Sequence, residues 1–273
     1  MTARKHRARF ASPAASSLPA KSPRNRSLER GIEILRAFRP GSGLLGNGEI
    51  AERTGLSRST VSRLTQTLLA TGFLRYDAGS RAYALGAPVL SLANAMRNGS
   101  AIMRAAAPLI HKAAEAHRIN VGLAVADRDE IVYLESVRYD RTASVRKVGS
   151  GQHVPMELTS LGRAYLAVIP THERAALFAK FSRRHPSTWA RLRRDINNDI
   201  DSVTRIGFCA VSWQPQVIAL ATPILVDGHP PYILNFSMTT TASRESVVRN
   251  LKGPLLNLAK QISAKLHELS DTD

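Results

Sequence analysis

Six polar side chains within nine residues, Arg58, Ser59, Thr60, Ser62, Arg63 and Gln66, form the segment of this 273-residue sequence best suited to contacting another molecule. All six can donate hydrogen bonds and two are permanent cations, so they fit phosphate oxygens and base edges better than bond making. On a helix, Ser59, Ser62, Arg63 and Gln66 fall at spacings of three, four and seven and share one face. Arg58 and Thr60 then lie beside the helix N-terminus, where the dipole also favours phosphate. Arginine pairs bidentately with guanine O6 and N7, which marks Arg63 and Arg58 for base contact and Ser59 and Thr60 for phosphate or base. Any solvated helix face is polar in the same way, so the elements around it must decide.

Catalytic chemistry is not legible. The sequence has no GxSxG elbow, no GxxxxGK[ST] loop and no DxDxDG loop. Its one cysteine, Cys209, excludes an internal disulfide and a Cys-based zinc cluster and reads as a buried thiol. His111 and His117 lack the i, i+4 spacing of a zinc helix, and His153, His172, His185 and His229 fall in separate segments, so they read as surface or loop residues. Gly41-Ser42-Gly43-Leu44-Leu45-Gly46 fits GxGxxG but follows a helix and a proline, not the strand a dinucleotide fingerprint needs. No enzyme activity, metal or cofactor is expected.

The elements around the polar face supply what it needs. Residues 49–54 and 57–70 read as two short helices with Gly55-Leu56 between them. Ala51 and Gly55 give the small contacts that closely crossing helices require, and Gly55 also permits a left-handed turn. Ser57 is the cap of the second helix, and Val61, Leu64 and Leu68 are its inward face. Gly72 ends it. Strands at 73–76 and 81–85 then flank the turn Asp77-Ala78-Gly79-Ser80, with Arg75 and Arg81 on a wing that would meet a backbone or minor groove. Ahead lies an amphipathic helix capped by Ser27, with Leu28, Ile32, Leu35, Ile34 and Phe38 at helical spacing until Arg39-Pro40.

Length and composition place these pieces. Two domains are expected, and no run of eighteen apolar residues or signal-peptide core appears, so the chain reads as cytoplasmic with no membrane partner. The net charge is +17, and residues 1–86 hold 15 Lys and Arg against five acids, a net +10, which suits a polyanion. Residues 1–26, rich in Ala, Ser, Pro and cations, read as a disordered basic arm. A winged helix-turn-helix follows at 27–87 and a linker helix at 88–101, with breaks at Asn98-Gly99-Ser100 and Pro108. Residues 102–270 read as a mixed α/β domain, making the fold class α+β. Its strands are expected at 121–125, 131–137, 143–148, 208–211, 217–226 and 232–238, and its helices near 160–167, 173–181, 190–206 and 244–268.

These residues resemble the IclR family of bacterial transcriptional regulators, from about Ser27 to about Lys265. The first domain carries Ser27-Leu28-Glu29-Arg30-Gly31-Ile32-Glu33-Ile34-Leu35, Glu49-Ile50-Ala51-Glu52-Arg53-Thr54-Gly55-Leu56, Ser59-Thr60-Val61-Ser62-Arg63-Leu64 and Gly72-Phe73-Leu74. The second carries Glu130-Ile131-Val132-Tyr133-Leu134-Glu135, Val148-Gly149-Ser150, Pro155, Thr159-Ser160-Leu161-Gly162-Arg163-Ala164 and Ala221-Thr222-Pro223-Ile224. The resemblance implies a GAF-like effector-binding domain, a small organic effector, often a carboxylate or aromatic acid, and a homodimer or homotetramer on double-stranded operator DNA. The implied pocket comprises Ser160, Leu161, Ser212, Ala219, Asn235 and Ser237; Ser160 also reads as a cap, Leu161 as packing and Asn235 as a solvent-facing strand residue. Two departures stand out. Many members carry an acidic cluster after the Gly-aromatic pair, whereas Gly207-Phe208 here leads into Cys209-Ala210-Val211-Ser212-Trp213-Gln214-Pro215-Gln216, and Ala219 holds a cysteine-like place. Phe208 and Trp213 are candidates to stack on an aromatic ligand.

Three functions compete at this point. An effector-responsive repressor or activator reads a palindrome-like site through a two-fold dimer. A nucleoid-type binder would ignore sequence, and an enzyme with a nucleic-acid targeting module would need the catalytic constellation that is missing.

Overall fold

The computed structural model describes residues 25–139 and 149–270. The basic arm, except its last two residues, and the strand expected at 143–148 lie outside them. The described chain divides into two compact units whose main boundary falls at Ala87 and Pro88.

The first unit runs α1 (Arg26–Arg36), β1 (Leu45–Gly46), α2 (Asn47–Thr54), α3 (Arg58–Ala70), β2 (Leu74–Asp77) and β3 (Ala82–Leu85). Its strands pair antiparallel in the order β1-β3-β2. Ile34, Leu45, Ile50, Val61, Leu74 and Tyr83 form one core. The cap of α1 is Asn25 and not Ser27: the Asn25 Oδ1 accepts from the Ser27 and Leu28 amides, both at 3.1 Å, as an N-cap side chain does for the second and third helical amides. The buried face of α1 also differs from expectation, since Ile34, Ala37 and Phe38 are buried while Leu28 and Ile32 are 63% and 47% exposed.

Gly55 ends α2 in the left-handed region, with φ of 69°. An L side chain there is strained by about 1–2 kcal/mol. Gly55→Ala is therefore expected to lower the stability of this unit by that amount in denaturant melts, and an unchanged midpoint would contradict the turn.

The second unit runs α4 (Ala87–Gly99), α5 (Ala101–His117), β4 (Asn120–Asp127), β5 (Glu130–Val137), β6 (His153–Pro155), α6 (Ser160–Val168), α7 (Thr171–Arg184), α8 (Trp189–Ile206), β7 (Cys209–Val211), β8 (Val217–Ile224), β9 (Tyr232–Thr239) and α9 (Arg244–Ser270). The break at residues 98–100 is real, with Ser100 capping α5 through the Met103 amide at 3.4 Å. Pro108 interrupts nothing and sits inside α5. Both Pro108 and Arg104, whose carbonyl loses its helical donor, are exposed, so water can take the donor's place.

Six antiparallel strands in the order β6-β5-β4-β9-β8-β7 form the sheet. Alternation along each strand divides the core. Val121, Leu123, Leu234 and Phe236 pack under α5 and α9. Ala124, Ile131, Ala221 and Ile233 pack under α6, α7 and α8. The result is the GAF-like sandwich. No helix among the described residues is long and apolar enough to cross a membrane.

Candidate functional site

In α3 the Ser57 hydroxyl accepts from the Thr60 amide at 3.3 Å and lies 2.9 Å from the Thr60 hydroxyl and 3.1 Å from that of Ser59. One cap thus organises two of the expected readers. Val61 and Thr65 are buried on the inner face, while Leu64 and Leu68 are only partly covered. Thr65, missed in the sequence, donates to the Ser62 carbonyl at 3.0 Å and pairs with the Tyr83 hydroxyl at 3.2 Å, tying α3 to the wing. Arg58, Ser59, Ser62, Arg63 and Gln66 are exposed and Thr60 is half-buried. The Arg58 guanidinium, however, lies back over Gly48 at the start of α2, whose Cβ position is 3.6 Å away. Arg63 has no ion-pair partner among the described residues.

At the wing tip Asp77 accepts from the Ser80 amide at 2.7 Å and the Ser80 hydroxyl at 2.6 Å. These bonds hold its carboxyl below the usual range. Arg81 follows, exposed and with φ of 51°, and Arg75 is exposed on β2.

The second unit holds a cavity of about 510 Å³ on the α6 side of the sheet. Ser160, Leu161, Ala219, Asn235 and Ser237 all line it. Ser212 does not: it is exposed, and its hydroxyl donates to the Val217 carbonyl at 2.7 Å, closing the turn into β8. Trp213 lines the cavity, but Phe208 belongs to the core beneath α5 and α9, on the other face.

Three features give the cavity its chemistry. Thr159 caps α6 through the Gly162 amide at 3.3 Å, leaving the Ser160 and Leu161 amides as first-turn donors that the helix cannot satisfy. Tyr133 is half-buried, and desolvation, partly offset by a hydrogen bond with the Asn235 side chain, pushes its phenol up to about 12, so it stays a neutral hydroxyl. Asn235 does not face solvent as a surface strand residue would: it is 3% exposed, and its side-chain amide hydrogen-bonds Tyr133, with the Oδ1 against Gly122. Gly122 makes room for both: a Cβ there would stand 2.4 Å from the Tyr133 ring and 2.6 Å from the Asn235 Oδ1. No sequence pattern signals that Tyr133 and Gly122 belong with this cavity, whereas Trp213 is already a candidate by sequence to stack on a ligand.

Backbone and charge together hold the start of α6. A Cβ at Gly162 would sit 1.9 Å from the Met156 carbonyl oxygen, so only glycine lets the helix dock on that loop. Arg163 donates through Nε to the Glu157 carbonyl at 3.1 Å and through Nη1 to Asp199 Oδ2 at 2.6 Å. Burial raises the Asp199 carboxyl, and its contact with Arg163 only partly offsets that.

Cys209 is buried and donates to the Ser160 carbonyl at 3.4 Å. Desolvation, with Asp199 nearby, raises its thiol and keeps it un-ionised. Among the described residues no group of three His, Cys, Asp or Glu could hold a metal ion.

Residues 27–78 match the family model of the IclR helix-turn-helix domain, and residues 95–264 match that of the bacterial transcriptional regulator IclR C-terminal domain. The HTH-type transcriptional regulator TsaQ1/TsaQ2 of Comamonas testosteroni is 31% identical over 245 residues, covering 88% of each chain. A crystal structure of an IclR family transcriptional regulator from Brucella abortus superposes with a TM-score of 0.78 at 32% identity, covering 87% of this chain and 91% of that one. An IclR homologue from Microbacterium hydrocarbonoxydans, solved with 4-hydroxybenzoate, shares the fold with a TM-score of 0.68 at 20% identity, covering 89% of this chain and 99% of that one. The family to which these matches point consists of regulators and not enzymes. With both domain models matched in order along the described units, the chain belongs to the IclR family of bacterial transcriptional regulators.

Proposed function

We propose that this DNA-binding regulator recognises a palindrome-like operator through Arg58, Ser59, Thr60, Ser62, Arg63 and Gln66, with Arg81 on flanking phosphate, and that a small organic acid in the second domain changes its operator affinity. It acts in the cytoplasm as a homodimer or homotetramer. The exposed Leu28 and Ile32 on α1, and Leu90, Leu92 and Met96 on α4, are apolar side chains that a second copy would cover.

The observation that carries the sensing part is a cavity that joins the start of α6 to Ser237 and the hydrogen-bonded Tyr133 and Asn235 side chains. First-turn amides attract carboxylate, and hydroxyl and amide groups at the other end can pair with a polar substituent. A ligand with a carboxylate at one end and a hydroxyl at the other would suit both. The relative holding 4-hydroxybenzoate has a ligand of that kind and the same fold.

A thermal-shift screen of organic and aromatic acids tests the reading, since a ligand that binds only the folded state must raise its melting temperature. Gly122→Ala, which forces the Tyr133 ring towards the cavity, is expected to weaken any acid found by at least about tenfold, roughly 1.4 kcal/mol. Ser212→Ala is expected to leave affinity unchanged. No stabilisation by any acid, or equal affinity in the Gly122 variant, would count against this cavity as the sensor. The regulatory link needs a second measurement, because a ligand with equal affinity for the two DNA-binding states shifts nothing.

A further inference from the structure

We infer that the basic face where α7 ends and α8 begins is a second contact surface for duplex DNA, holding phosphate without reading sequence. Such a surface presupposes a chain that binds duplex, as its family does, but depends on neither the reader residues nor the cavity assigned above.

Residues 180–194 contain six Lys and Arg and no Asp or Glu. They span the last turns of α7, four connecting residues and the first turns of α8. Part of this charge is already used. Arg184 donates to Glu157 at 2.8 Å and also pairs with Asp129, Lys180 stands 3.8 Å from Asp129, and Arg191 lies 4.0 Å from Asp195. Arg183, Arg193 and Arg194 remain exposed, with no acid partner among the described residues. Burial of Leu192 and Ile196 turns Arg193 and Arg194 to solvent.

The two helix ends leave this charge open to an anion. Arg183 stands in the last turn of α7, Arg193 and Arg194 stand in the second turn of α8, and α8 starts without a side-chain cap and without an acid in its first turn. No carboxylate of α8 therefore meets the positive end of its dipole, where a phosphate is favoured.

The surrounding side chains narrow the anion to duplex backbone. Single-stranded RNA is held largely by bases stacked on exposed aromatic rings. Here Phe181 is buried, and Trp189 is half-buried with its ring edge-on to Phe178 at 5.4 Å. A helix that lies in a membrane surface inserts apolar side chains, and no large hydrophobic residue of 180–194 is exposed, so anionic lipid would be held by charge alone and enters the test below as a competitor. What remains is a set of planar guanidinium donors suited to phosphate oxygens.

The test uses the full chain and a random-sequence duplex of roughly six helical turns. The variant R183Q/R193Q/R194Q is compared with R249Q/K252Q/K260Q, which removes the same charge from exposed positions on α9. The slope of log affinity against log salt is expected to become shallower by about 0.9 for each phosphate no longer neutralised, up to about 2.7 in the first variant, with little change in the second. Sequence preference in selection from random DNA stays intact, which separates this surface from the reader. Equal slopes for the two variants would overturn the inference by reducing the effect to net charge. So would a weakening confined to single-stranded RNA or anionic vesicles, with duplex binding unaffected.

Discussion

Asp199→Ala is expected to destabilise the second domain by about 3–5 kcal/mol, because it leaves the Arg163 guanidinium buried without its counter-charge. The pair is nearly enclosed, with side-chain exposures of 10% and 12%. Arg163 stands on α6 and Asp199 on α8, so the contact fixes the helix that forms one end of the cavity. The pair is not itself a large source of stability. Burial lifts the Asp199 carboxyl above its unfolded value, so its ionisation opposes folding: the unfavourable part is absent below the unfolded value, grows as pH rises from there, and is complete above the folded one. Replacing both partners with apolar residues of similar volume, as in R163M/D199L, is therefore expected to recover most of what the single change loses. Urea denaturation of the three variants decides the matter. An alanine variant within about 1 kcal/mol of the parent would show that the pair is solvated, and a double variant no better than the single would show that the charges, and not the vacancy, hold α6.

The pair also shows where the sequence falls silent. Arg163 and Asp199 are 36 positions apart, each on an amphipathic helix where it reads as one more charged side chain. Periodicity located α3, α6, α8 and α9 because each buries a stripe that runs past one turn, Val61, Leu161, Ile196 and Leu258 among them, whereas α2 buries only Ile50 and is marked by Gly55 at its end. It could not locate β1 or β6. Leu45–Gly46 is two residues long and pairs with β3 from inside a glycine-rich segment, and β6 is three residues on the sheet edge. β7 is as short, but the unbroken apolar run at 208–211 after Gly207 marks it, and neither Leu45–Gly46 nor His153–Pro155 offers such a run. Asn25 and Ser27 are both good caps two residues apart, and nothing local separates them. The exposed Leu28 and Ile32 have helical spacing yet face solvent, because period alone does not say which of two apolar stripes meets the core.

The candidate cavity was legible only where a helix start announces itself. Thr159, Ser160 and Leu161 carry a capping pattern, and their role follows from the geometry of any helix N-terminus. Asn235 and Ser237 lie on the same face of β9, two residues apart, but the strand alone did not reveal which face held empty space. Gly122 is a glycine inside a strand, a sign of close approach whose partner the sequence does not name; the partner is the Tyr133 ring. Ser212 failed for a related reason. The stretch after β7 turns within a few residues, so its hydroxyl serves the Val217 carbonyl and Trp213 reaches the cavity in its place.

Arg63→Ala is expected to remove discrimination at one base pair in each half of the operator, costing about 1–3 kcal/mol per half-site in the proposed dimer. Among the candidate readers this side chain has the clearest case. Ser59 and Thr60 share their hydroxyls with the Ser57 cap, and the Arg58 guanidinium leans over Gly48, whereas Arg63 stands exposed on the central turn of α3. Burial of Val61 and Thr65 fixes which way it faces, and the bond from Thr65 to Tyr83 locks that face to the wing. Selection from random DNA with parent and variant should therefore differ at symmetric positions only, with the rest of the motif retained. Arg81→Ala provides the contrast: on the wing tip, its removal should weaken all duplexes alike and lower the salt slope by about 0.9. If Arg63→Ala instead weakened operator and random DNA equally, Arg63 would be a phosphate contact, and base reading would pass to Gln66 and Ser62, the remaining exposed groups on the same face.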